Sequence, residues 1–299
     1  MKKLILSLSV VLLLFSCARK TTASKDVIDE NTVEDNSSNV NEDLSNYGKI
    51  LNQEEEELGK LPDYKLIIEG LKFSEDGSRA KNIVNFFASD SLMITADVYT
   101  TNRENPFILL CHQAGYSRGE YVNTVKELML IGFNCVALDQ RSGEKVNGIV
   151  NETAMQAKEK GLPTNYIDAK EDIRAAIDFT YALNADRPII VVGSSYSASL
   201  VLLLSGKNPN VNKVAVFSPG EYLKGISVME SLGGFQKRVF VTASKEEIPK
   251  VKELTKLIVP DYLTIYEPKE PGIHGSRALW FSTPGYVGYW KAFKAFLKE

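Results

Sequence analysis

From residue 107 onward, short apolar runs alternate with amphipathic stretches. Residues 106–111, 133–138, 189–192, 211–217, 238–243 and 262–266 are such runs, and Ile189-Ile190-Val191-Val192 is wholly apolar and β-branched. Predominantly apolar segments of this length predict strands covered on both faces, as in a parallel sheet. Ahead of them, residues 66–71, 83–87 and 92–99 predict further strands, with Ala88-Ser89-Asp90-Ser91 as a turn between the last two. Between the buried runs the period lengthens to that of a helix. Val122, Val125 and Met129 share a face over residues 118–130, which Gly132 ends, and Ile173, Ala176, Ile177 and Thr180 share one over 167–183. Val251, Leu254 and Ile258 mark another helix, and Tyr289, Phe293 and Phe296 a last one. Consecutive strands followed by strand–helix alternation predict an α/β fold. Its sheet is mainly parallel and twisted, antiparallel at its start, with helices on both faces.

Residues 1–62 do not follow this pattern. Lys2 and Lys3 precede an uninterrupted apolar or small run over 4–15, too short for a membrane span of about 20 residues. Residues 1–16 therefore predict an export signal. Leu14-Phe15-Ser16-Cys17 resembles a bacterial lipobox, which implies a lipid on Cys17 and anchoring to a membrane of the bacterial cell envelope, on its periplasmic or surface face. Residues 17–62, rich in Asn, Ser, Thr, Asp and Glu, bury too little apolar surface to offset their ordering entropy and predict a flexible acidic tether. Residues 63–299 are expected to form one domain. The polar, Gly-containing segment 142–166, with a helix-like piece over 152–160, falls between a strand and a helix, where it predicts a cap insertion.

The candidate chemistry starts at Gly193-Ser194-Ser195-Tyr196-Ser197, directly after a buried strand and ahead of a helix. A nucleophile elbow is so tight that the positions two before and two after its serine must be small. With Ser195 central the flanks are Gly193 and Ser197; with Ser194 central they are Val192 and Tyr196, which do not fit. Ser195 is the candidate nucleophile. Only two histidines occur, and only His274 follows Ser195, in the loop Pro271-Gly272-Ile273-His274-Gly275-Ser276. The net charge of −3 suggests no nucleic-acid partner. Three cysteines without a Cys-x-x-Cys pair, together with two histidines, suggest no metal, and no cofactor is implied. Cys111 and Cys135 sit in apolar runs as core residues.

The strand order and the elbow resemble the α/β-hydrolase fold over about residues 65–299. Cys111-His112-Gln113-Ala114-Gly115-Tyr116-Ser117-Arg118-Gly119, together with residues 193–197, looks most like the dienelactone-hydrolase-like and serine-aminopeptidase-like members. Ser197 and Gln113 stand where the family pattern has glycine. The resemblance implies the chain order nucleophile, acid, base. His274 would be the base. The acid would follow the strand at 238–243, at Glu246, with Glu247 beside it and Glu221 after the preceding strand as alternatives. The oxyanion hole would come from the backbone N–H groups of Tyr196 and Ala114, with Gln113 next in line, and His112 would shape that loop. Tyr116, Tyr196, Tyr222, Trp280 and Phe281 point to an apolar acyl pocket. The implied activity is a serine hydrolase forming an acyl-enzyme on a small-molecule ester or amide. A catalytically silent binding lipoprotein and an acyltransferase with the same triad are the rival readings.

Overall fold

The computed structural model describes residues 64–73 and 79–299. The signal at 1–16, Cys17 and the tether lie outside these residues. Ten strands follow in chain order: β1 (Ala80–Phe87), β2 (Met93–Thr100), β3 (Phe107–Cys111), β4 (Asn134–Leu138), β5 (Lys145–Val146), β6 (Ile149–Val150), β7 (Ile189–Ser194), β8 (Val211–Phe217), β9 (Arg238–Thr242) and β10 (Leu263–Tyr266). Eight of them form one sheet in the order β1-β2-β4-β3-β7-β8-β9-β10, while β5 and β6 pair as a separate hairpin. The β1–β2 and β2–β4 ladders are antiparallel and all others in the large sheet are parallel.

Side chains alternate between two cores because successive residues of a strand face opposite ways. Leu109, Cys111, Val191, Val214, Val216 and Val241 pack on one face against Ile173, Ile177 and the helix Tyr196–Ser205. Ile108, Leu110, Val192, Phe217 and Phe240 pack on the other against the helices Thr124–Leu130 and Tyr286–Lys298, with Phe293 at the centre of an aromatic group. The sheet is therefore covered on both faces, and its central strands end at their carboxyl side in the loops that carry the chemistry. That is where open parallel sheets bind ligands.

Two segments differ from the expectation. Residues 66–71 are not a strand; Lys65–Glu69 is a short helix with its Lys65–Glu69 ion pair at helical spacing, 3.9 Å, and with Ile67 and Ile68 turned onto the core. Residues 118–130 are not one helix but a 3₁₀ turn, Arg118–Tyr121, followed by Thr124–Leu130. The break leaves Arg118 and Glu120 pointing inward, where Arg118 pairs with Asp97, Asp139 and Glu152. Segment 142–166, read as a cap insertion, carries the hairpin β5–β6 and a helix. Its helix Glu152–Glu159 is keyed to the sheet, with Thr153 Oγ1 accepting the Thr95 N–H at 2.9 Å and Asn151 donating to the Gln140 carbonyl at 2.8 Å. Ala154 and Ala157 are fully buried, so this part of the segment is core.

Candidate active site

β7 runs straight into the helix Tyr196–Ser205, and Ser195 is the single residue between them. Its backbone has φ 59° and ψ −125°, a conformation L-residues avoid and one that places the side chain above the sheet edge. Space explains Gly193: a Cβ there would lie 2.6 Å from Ala198 Cα and 2.7 Å from the Ser197 carbonyl, both backbone. Ser197, the departure from glycine on the other flank, has a use of its own. Its hydroxyl donates to the His112 carbonyl at 2.5 Å and accepts from Gln140 Nε2 at 2.5 Å, tying the helix start to the loop after β3.

His274 meets Ser195. Its Nε2 lies 2.8 Å from Ser195 Oγ and its Nδ1 2.5 Å from Glu247 Oε1. With the ring proton on Nδ1 and donated to Glu247, Nε2 is left to accept the Ser195 hydroxyl. The second oxygen of Glu247 accepts from Ser218 Oγ at 2.8 Å, from Ser244 Oγ at 2.9 Å and from the Ser244 N–H at 3.1 Å. Partial burial alone would raise the Glu247 carboxyl, but hydrogen bonds from His274, Ser218 and Ser244 outweigh it and hold the group down to about 2.

The carboxylate that meets His274 is thus Glu247, one residue after the expected Glu246. The turn after β9 closes with the Glu247 N–H on the Ser244 carbonyl at 3.0 Å. Lys245 and Glu246 ride its exposed outside while Glu247 returns inward to the histidine. Glu221 is engaged elsewhere, capping the short helix Val228–Ser231 through the N–H groups of Val228 and Met229.

Of the two expected oxyanion donors, Tyr196 N–H opens a helix and has no acceptor among the described residues. Of the two N–H groups expected from the β3 loop, Gln113 N–H is consumed by Glu120 Oε2 at 2.7 Å, while Ala114 N–H has no acceptor among the described residues. His112 holds this loop. It is fully buried, donates from Nδ1 to the Gln113 carbonyl at 2.8 Å, and accepts at Nε2 from the Gln140 N–H at 3.0 Å and Asn151 Nδ2 at 3.1 Å. Burial pushes its pKa down to about 4, so it stays neutral. Cys111 and Cys135 are buried in opposite cores, and burial pushes both thiols up, away from the reactive thiolate.

A cavity of about 200 Å³ opens beside Ala114 and Gly115, walled by Ser142, Glu144, Lys158, Thr164 and Tyr166. Its walls carry no large aliphatic side chain. Neither Ser195 nor His274 lines it, and nor do the five aromatic residues expected around an apolar pocket. Tyr196 is buried with its hydroxyl on Gln140, Trp280 donates to the Glu120 carbonyl, and Tyr222 stands edge-on to His274. The ring that is present, Tyr166, stacks on Tyr196 at 4.5 Å, and no pattern in the sequence marked it. Among the described residues no group of His, Cys, Asp and Glu is arranged to hold a metal.

The family model described as serine aminopeptidase, S33, matches residues 102–259, more than half of the chain. The chain belongs to this family. The matched stretch carries Ser195 and Glu247 and stops short of His274. Among solved structures, this family member is similar to an esterase of Pyrococcus furiosus, Pf2001, at 17% identity and a TM-score of 0.58, covering 77% of this chain and 96% of that one. It is also similar to a dienelactone hydrolase of Anabaena variabilis at 12% identity and a TM-score of 0.56, covering 73% and 96%. A cold-adapted esterase from an Arctic intertidal metagenomic library follows at 16% identity and a TM-score of 0.55, covering 76% and 97%. Comparison with curated proteins gave no match. The S33 assignment makes this protein an α/β-hydrolase, and the solved structures agree with its fold.

Proposed function

We propose that this S33 family member cleaves small carboxylic esters through an acyl-enzyme on Ser195. The observation that carries the reading is the unbroken relay of Ser195 Oγ, His274 and Glu247, at 2.8 and 2.5 Å, on a strained elbow. Ser195 Oγ attacks the ester carbonyl as its proton passes to His274 Nε2, and Glu247 stabilises the imidazolium. The tetrahedral oxyanion accepts from the N–H groups of Tyr196 and Ala114. Collapse expels the alcohol, which takes the proton from His274. Water then repeats the sequence on the acyl-enzyme, giving the carboxylic acid and free Ser195.

A fluorophosphonate probe is expected to label Ser195 alone, and short p-nitrophenyl esters such as the acetate and butyrate are expected to be cleaved. Folded protein that takes no probe and cleaves no ester would replace this reading with a silent binding domain. Faster transfer to an added alcohol or amine than to water would replace it with an acyltransferase.

The same reading places the enzyme at the bacterial cell envelope, held by a lipid on Cys17, on the strength of the lipobox-like run. Cys17→Ala is expected to move the protein from the membrane fraction to the soluble one; an unchanged distribution would remove the anchor.

A further inference from the structure

Three loops carry the reacting atoms, from three separate strands of the sheet, and behind the site they meet at one carboxylate. Glu120 is fully buried. Its Oε2 accepts the Gln113 N–H of the oxyanion loop at 2.7 Å. Its Oε1 accepts Ser194 Oγ, next to the nucleophile, at 2.8 Å, and Ser276 Oγ, two residues after the base, at 2.5 Å. Ser194 Oγ in turn accepts the Ser276 N–H at 2.8 Å, which closes the ring. The backbone of Glu120 is itself held, by the Trp280 indole N–H at 3.1 Å.

We propose that Glu120 is a positioning residue for the hydrolase reading above, setting the oxyanion loop against the nucleophile and base loops so that Ala114 N–H faces the reacting carbonyl. An ionised carboxylate accepts only, and here one group takes donors from all three loops without a donor of its own to satisfy. Such a buried group is costly unless fully hydrogen-bonded. Burial raises the Glu120 pKa, while the bonds from Ser276, Gln113 and Ser194 and the charge of Arg277 oppose that rise. The three loops also touch. Gly275, at φ +73°, has no room for a side chain, since a Cβ there would lie 2.4 Å from Gln113 Oε1 and 2.6 Å from Ser194 Oγ. Glu120 holds the Gln113 N–H on one side of that residue, while His112 Nδ1 and the Tyr116 N–H hold the Gln113 carbonyl on the other, so the peptide that carries Ala114 N–H is set between Glu120 and His112.

The test compares Glu120→Met and Glu120→Gln in the full chain. Methionine keeps the length and removes both acceptors. Glutamine keeps one acceptor for the Gln113 N–H, and the Ser194 and Ser276 hydroxyls can rotate to accept from its amide. Glu120→Met is expected to lower kcat on a short ester by about 10²- to 10³-fold, the loss typical of one oxyanion donor, with KM nearly unchanged. Glu120→Gln is expected to recover most of that loss. Hydrogen exchange is the second readout and needs no activity. Amides in peptides spanning residues 112–117 and 273–278 should exchange faster in Glu120→Met, while those of β3 and β7 hold their wild-type rates. If Glu120→Met does not fold, Ser276→Ala replaces it and should loosen residues 112–117, more than 150 positions away, by the same route. Wild-type kcat and wild-type loop exchange in the variant would overturn the proposal. So would a general rise in exchange with kcat and KM moving together, which marks a plain structural plug. A wild-type protein that neither hydrolyses nor labels would end the hydrolase reading, and the exchange data would still decide whether Glu120 positions the loops.

Discussion

Ser195→Ala and His274→Ala are each expected to lower kcat on a short p-nitrophenyl ester by about 10⁴- to 10⁶-fold and to abolish fluorophosphonate labelling. The size of the effect follows from the chemistry: without Oγ there is no acyl-enzyme, and without Nε2 nothing takes the hydroxyl proton as the bond forms. Ser195 is 8% exposed, at the surface of the site rather than in the core, so its loss leaves the packing intact and the melting temperature is expected to stay close to wild type. Ser194→Ala is the informative contrast. That hydroxyl is turned to Glu120 and Ser276, away from His274, so the variant is expected to keep labelling at Ser195 while turnover falls through the disturbed loop contacts. Retained ester turnover in Ser195→Ala, with folding intact, would sink the acyl-enzyme route.

Glu247→Gln is expected to lower kcat by about 10⁴-fold, the loss seen when a triad acid can no longer hold the imidazole in its working tautomer and balance its charge. Glu246→Gln, one residue earlier and exposed, is expected to stay near wild type. The reverse outcome would mean that the turn after β9 closes one residue sooner. The same carboxyl gives a pH signature. Its folded-state value, about 2, lies below the ordinary 4.5. A lowered carboxyl contributes stability that is present above the unfolded value and is lost as pH falls toward the folded one. The melting temperature of the wild type is therefore expected to fall more steeply between about pH 4.5 and 2 than that of Glu247→Gln, as read by scanning fluorimetry. Parallel curves for the two proteins would contradict the hydrogen-bonded carboxylate at this position.

Ser195 and His274 were legible because their signals are local. An elbow needs small flanking residues, which only one of the two serines has, and a chain with two histidines leaves one candidate after it. The buried strands were legible for the same reason: a run such as Ile189-Ile190-Val191-Val192 has no face it can show to water. The segment 142–166 was readable as polar and Gly-containing with a helix-like piece over 152–160, which is the helix Glu152–Glu159, but not as joined to the sheet. Asn151 and Thr153, which join it to the sheet, are as polar as any loop residue, and they are buried because Gln140 and Thr95 offer them partners.

What this chain's sequence determined by itself is the α/β alternation, the elbow serine and the loop histidine, because apolar period, turn sterics and residue scarcity act within a few neighbouring positions. What only the tertiary structure decided is which of two adjacent glutamates faces the histidine, which of two adjacent N–H groups in the β3 loop is left without an acceptor, and that residues 65–69 coil rather than extend. Each choice turns on a partner that arrives from elsewhere in the chain: Ser218 and His274 for Glu247, Glu120 for the Gln113 N–H, and the core beneath Ile67 and Ile68. A hydrogen bond is won by whichever donor the fold brings within reach, and neighbouring residues of like chemistry differ in that reach only once the chain has closed on itself.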